Sequence, residues 1–270
     1  MRKIRSQKSK VRSLRNIFSA VLIALFGLIM TGTNASAELT IKANHDHIKI
    51  DFFYNGSTVS VAGDADSGTD LIIKIASPES HEILKQKGKV AGLLWMNTGT
   101  INFEHTPNLY SIYSTKKVEE ILSTEEADKY VIGYPALSRQ MEIAPVSTED
   151  ERSKWFNEFV KYKESSNLYT TSSGKISITS KDGKQAYYIL TAWPYQAPPG
   201  DYLVTVYAVK DKKVIEKAES KVMVEQVGAV KMLAGMAKNN GALYGGISIM
   251  AALAAGFGVG MIFRKGGGAH

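Results

Sequence analysis

The sequence predicts a mainly β protein, an immunoglobulin-like β-sandwich with a helical insertion, followed by one C-terminal transmembrane helix. Three observations predict it. Short β-branched and aromatic runs broken by turn residues fill residues 38–114 and 175–226, apolar residues at helical spacing occupy the stretch between, and an uncharged apolar run lies near the C-terminus.

The N-terminal segment reads as a targeting signal. Arg2, Lys3, Arg5, Lys8, Lys10, Arg12 and Arg15 precede the apolar run Ile17–Met30 with no acidic residue among them. That run falls short of the ~20 residues a bilayer core requires, and it leads to Ala35-Ser36-Ala37, the small-x-small pattern of a cleavage site. Residues 1–37 are therefore expected to be a cleaved signal peptide, with the mature chain starting at Glu38.

This segment accounts for the net charge of +7. Without its basic residues, 26 Lys plus Arg face 26 Asp plus Glu. The basic face that phosphate backbones demand is then missing, so no nucleic-acid partner is expected. Cysteine is absent, which excludes disulfides, thiolate metal sites and cysteine nucleophiles.

The strands follow in order. Ile48–Phe53 and Thr58–Ala62 flank the turn Tyr54-Asn55-Gly56-Ser57, and Leu71–Ile75 follows Asp66-Ser67-Gly68. Asn-Gly between apolar runs signals a hairpin, because it supplies the φ > 0 residues that a tight turn needs. Val90–Met96, Ile101–Phe103 and Leu109–Tyr113 complete the first half, with mixed alternation that predicts some strands buried on both faces. The period then changes: Lys116–Val131 and Glu149–Tyr162 carry apolar residues at helical spacing, and Thr148 with Glu151 forms a capping box at the start of the second helix. The insertion spans about 116–165.

After Lys175 the strand pattern returns in Ile176–Thr179, Ala186–Ala192, Tyr202–Val209 and a last run to Val224, with turns at Lys181–Lys184 and Lys210–Lys213. Two architectures satisfy this order, two small β modules around a helical linker or a single sandwich of residues 38–226. The approach Pro198-Pro199-Gly200-Asp201-Tyr202 to a hairpin favours the sandwich. Residues 227–240 form a juxtamembrane segment. Gly241–Phe263 forms the membrane span, about 34 Å as a helix. Arg264 opens a short tail, 264–270, expected on the cytoplasmic side.

Candidate chemistry is sparse. On a strand, His45 and His47 would share one face, and His81 or His105 could complete a metal site with them; the plainer reading of the pair is a solvated strand face. No serine–histidine signature appears and no cofactor is implied, so the chain is not expected to be an enzyme. Phe103, His105, Pro107 and Tyr110 lie in a segment dense in aromatic and polar groups, which either forms a recognition surface or fills the core. In the span, Gly241, Gly245, Ser248, Ala252, Gly256 and Gly260 line one helix face almost without side chain. Such a face lets a second membrane helix approach closely, so a polytopic membrane protein or a second copy is the expected partner, besides the lipid bilayer itself.

Several blocks together resemble a known family, transmembrane proteins of about this length described mainly from alphaproteobacteria. They are Tyr54-Asn55-Gly56 with Val61-Ala62-Gly63, Asp70-Leu71-Ile72-Ile73-Lys74 with Pro78, Lys87-Gly88-Lys89-Val90-Ala91-Gly92-Leu93-Leu94-Trp95-Met96-Asn97, Phe103 with Pro107 and Tyr110, Pro199-Gly200-Asp201-Tyr202, and the ending from Leu243-Tyr244-Gly245 to Phe263-Arg264-Lys265. The resemblance implies no catalytic residues. Genes of that family stand beside sulfite-exporter-type permeases, which implies a non-catalytic accessory subunit of a transporter. The alternative is a periplasmic module that binds a small anion or metal ion. Either way the expected location is the inner membrane, single-pass, with the N-terminal domain in the periplasm.

Overall fold

The computed structural model describes residues 38–44, 47–90, 92–181 and 183–264. The expected signal peptide, His45 and the tail from Lys265 onward lie outside the described residues.

Thirteen described strands form three sheets. The first contains β1 (Lys42–Ala43), β3 (Ser57–Asp66), β11 (Lys184–Trp193) and β10 (Ser177–Lys181), in that spatial order. The second runs β2 (His47–Ile50), β13 (Lys213–Gln226), β12 (Gly200–Lys210), β4 (Asp70–Ala76), β7 (Tyr110–Ser114), β9 (Tyr169–Ser173). The third, β5 (Glu79–Val90), β6 (Leu94–Pro107) and β8 (Glu142–Ala144), is mostly one long hairpin. Strands from both halves of the sequence are hydrogen-bonded neighbours, β3 with β11 and β4 with β12. Residues 38–226 are therefore one body, and the reading as two β modules around a linker is excluded.

Two apolar layers build this body. Val59 and Val61 of the first sheet, with Tyr187, Ile189 and Trp193, pack on Leu71, Ile73, Val204, Val206 and Val222 of the second. The opposite face of the second sheet, through Ile72, Tyr110, Ile112 and Tyr207, is covered by the inserted helices and the root of the third sheet. Leu71, Ile72 and Ile73 are all fully buried, because successive side chains of a strand point to opposite faces and here both faces are covered. The mixed alternation of the sequence has this cause.

The insertion comprises α1 (Val118–Ile121), α2 (Thr124–Tyr130), α3 (Tyr134–Gln140) and α4 (Glu149–Ser165). Helix α4 starts where the capping residues place it: Thr148 Oγ1 accepts from Glu151 N at 3.2 Å, while the Glu151 carboxylate accepts from Ser147 N. Sequence periodicity misses α3, which is seven residues long and buries only Ala136 and Leu137. One expected strand is corrected. Val90–Met96 does not run through: Val90 pairs with Leu94, and the chain reverses at Gly92 with φ +75°. The run is apolar without being a core strand.

After β13 come α5 (Gly228–Asn239) and α6 (Gly241–Arg264), broken at Asn240 with φ −139°, ψ 60°. The sequence left open whether this juxtamembrane segment extends the membrane helix; it is a separate amphipathic helix with Met232 and Leu233 exposed beside Lys231 and Lys238.

Candidate functional site

The described histidines do not converge: His81 Nδ1 is hydrogen-bonded to the Glu104 carboxylate. His47 Nε2 lies 2.8 Å from a Glu225 carboxylate oxygen on the neighbouring β13, and His105 Nδ1 lies 2.9 Å from Glu79. The Glu79 carboxylate raises the His105 imidazole above its ordinary value, chiefly by accepting its hydrogen bond. Each described candidate thus has its own carboxylate on a solvated strand face. Among the described residues no group of three or more His, Asp or Glu side chains could hold a metal ion.

The segment from Phe103 to Tyr110 is corrected as a recognition surface. Phe103 stacks on Phe159 of α4 with ring centroids 4.4 Å apart. The Tyr110 hydroxyl donates to Val131 O and accepts from Gly133 N, and the Pro107 carbonyl accepts from the Tyr169 hydroxyl. All three residues are buried, because the helical layer closes over this face of the second sheet. His105 alone of the four is exposed.

A cleft that local sequence patterns do not announce opens between the first two sheets. It encloses about 870 Å³ and is lined from five separated stretches, by Asn55, Ile75, Tyr113, Asn167, Lys175 and Trp193 among others. The Tyr113 hydroxyl and Thr191 Oγ1, 2.6 Å apart, join the second sheet to the first. Trp193 packs edge-on against Tyr202 at 4.8 Å, and its Nε1 is buried without a hydrogen-bond partner. Among the described residues Lys175 is the only charged side chain of the lining, which includes no described carboxylate or imidazole. The cleft can donate hydrogen bonds and offer one positive charge.

The membrane helix is the other candidate. From Gly241 to Met261 it is long and apolar enough to cross a membrane, and none of that stretch is buried against the rest of the chain. A Cβ added at Gly241, Gly245, Gly256 or Gly260 would meet nothing within 4 Å. Contacts with the described residues therefore do not account for these glycines. Ala252, Gly256 and Gly260 form the floor of a shallow groove flanked by Leu253, Phe257 and Met261. The spacing of small residues identified this face; nothing local in sequence could identify the cleft.

A family model described as "Putative transmembrane protein (Alph_Pro_TM)" matches residues 38–265. No curated protein and no solved structure matches the chain.

Proposed function

We propose, from the premise that the chain belongs to this transmembrane family, that it is a non-catalytic accessory subunit: α6 docks on a helix of a polytopic membrane protein, a transporter, and holds the β body against that partner on the outer side of the inner membrane. The observation that carries the proposal is the groove at Ala252, Gly256 and Gly260 on a helix whose apolar stretch is not buried against the described residues. Inside a bilayer hydrophobicity does not hold helices together, so close packing through small residues supplies the attraction. Replacing Ala252 and Gly256 with leucine fills the groove. The double variant is expected to reach the membrane in normal amount and to lose a co-purifying membrane protein in mild detergent; retention of that protein by the variant overturns the proposal.

We further infer that the two facing sheets are an immunoglobulin-like sandwich. The order β1-β3-β11-β10 against β2-β13-β12-β4-β7 corresponds to strands A-B-E-D against A′-G-F-C-C′. The Tyr202 hydroxyl, at the start of β12, donates to Pro198 O in the manner of a tyrosine corner. In this frame the helical insertion falls between C′ and D.

A second reading is favoured by the cleft. Its hydroxyls, amides and the Lys175 ammonium suit a small anion.

A further inference from the structure

The hairpin of β5 and β6 is an anomaly of the fold. Residues Glu79 to Val90 are nowhere buried, and β6 is exposed until Ile101. Strand β8 pairs only with Asn102, Phe103 and Glu104, so beyond the Leu84–Ile101 pair the arm is a bare two-stranded ribbon. Such a ribbon is marginal in water without a surface to bury one face. At about 3.3 Å per residue, the twelve residues of β5 could reach ~40 Å.

Its tip is apolar. Leu93 is 85% exposed and Trp95 68%, with Leu94, Met96 and Val90 exposed beside them. Contiguous exposed apolar side chains mark an interaction site on a folded protein. Charge limits what the partner is: from Ile83 to Phe103 the chain carries Lys85, Lys87 and Lys89 and no acidic residue. The Lys89 ammonium lies 5.4 Å from the Trp95 ring centroid, so the cation and the aromatic share one level of the ribbon. Protein interfaces are depleted in lysine. Lipid interfaces, by contrast, collect tryptophan and lysine around an apolar insertion.

Strand register places the arm at the membrane-facing end. Ala76, the last residue of β4, is opposite Leu203, and Leu203 is opposite Lys221 of β13, whose end leads through α5 into α6. Strand β4 runs antiparallel to β12, as does β13, so β4 and β13 end on the same side of the sheet. The hairpin starts from that side at Glu79, three residues after Ala76, and β7 re-enters the sheet there at Tyr110, opposite Ala76.

We propose that Val90, Leu93, Leu94, Trp95 and Met96 at the tip of this hairpin insert into the lipid interface of the membrane that α6 enters, with Lys85, Lys87 and Lys89 on anionic headgroups. The domain is then held at two points, and its orientation over the membrane is fixed rather than free about the α5–α6 joint.

The absence of native cysteine makes the test clean. Full-length chain carrying Leu93→Cys, or Lys213→Cys at the opposite end of β13, is labelled with an environment-sensitive fluorophore. Each is reconstituted into vesicles of zwitterionic and anionic phospholipid, with and without brominated lipid. The expected result is a blue-shifted emission at position 93 that brominated lipid quenches at least twofold, with no quenching at position 213, and a loss of that quenching when Lys85, Lys87 and Lys89 are replaced by glutamate. A label at 93 that aqueous iodide quenches as strongly as the label at 213 overturns the proposal. So does a blue-shifted label that brominated lipid leaves untouched, which would place protein rather than lipid over the tip.

Discussion

The ammonium of Lys163, on the buried side of α4, bonds to Glu82 of β5 and ties the root of the long hairpin to the helical layer. Lys163 is only 1% exposed, lies 5.4 Å from the Phe159 ring centroid and 5.7 Å from that of Tyr169, and is the most buried cation of the described chain. A charge so placed is tolerable only while its partner remains. Removing the carboxylate with Glu82→Leu is expected to destabilise the domain by about 3 kcal/mol, read by denaturant unfolding. Adding Lys163→Met to it is expected to recover most of that loss, since a matched apolar pair replaces the stranded charge. A double variant no more stable than the single one would show that the pair is not what joins hairpin to helix.

Lys74 gives the stability a measurable pH dependence. It lies on β4 among apolar residues and donates to Tyr130 O at 2.6 Å. Burial lowers its pKa from 10.5 to about 8. A lysine with a lowered folded-state pKa binds more protons unfolded than folded between those two values, so it makes stability rise with pH from about 8 to 10.5. Lys74→Met should remove that rise and stabilise the domain at neutral pH by roughly 1–2 kcal/mol. Parallel Tm-against-pH curves for the two proteins over this window would count against the assignment.

The tyrosine corner has its own signature. Tyr202→Phe keeps the ring against Trp193 and deletes only the hydrogen bond to Pro198 O. A loss of about 1 kcal/mol is expected. An unchanged midpoint of chemical unfolding would mean that the bond contributes nothing to closing the sandwich.

For the cleft, sulfate or sulfite at one hundred times its dissociation constant should stabilise the full-length protein by about 2.7 kcal/mol. Lys175→Ala should abolish the shift. Melting temperatures indifferent to both anions would retire the anion-binding reading while leaving the membrane-helix proposal intact.

Much of the fold was legible in the sequence because it rests on local physics. Thr148 and Glu151 mark the start of α4, and the uncharged stretch from Gly241 marks α6, whereas Asn55-Gly56 signals a hairpin that does not form, since β2 pairs with β13 and β3 with β1 and β11. What failed was non-local. The run around Trp95 has the composition of a core strand, and only the reversal at Gly92 and the lack of a third strand show that it is an exposed tip. Phe103 and Tyr110 read equally as surface or core until the helical layer is seen to cover them. The cleft is assembled from residues as far apart as Asn55 and Trp193, so no spacing within the chain could reveal it.

The central claim is that the small-residue groove of α6 seats another membrane helix, and photocrosslinking tests it most directly. A photoreactive residue at Gly256, irradiated in intact membranes, is expected to give one discrete protein adduct that disappears when Ala252 is leucine, while the same group at Ile247, on the opposite face of the helix, gives none. Irradiation that yields only lipid adducts at Gly256, or equal protein adducts at both positions, would contradict the claim.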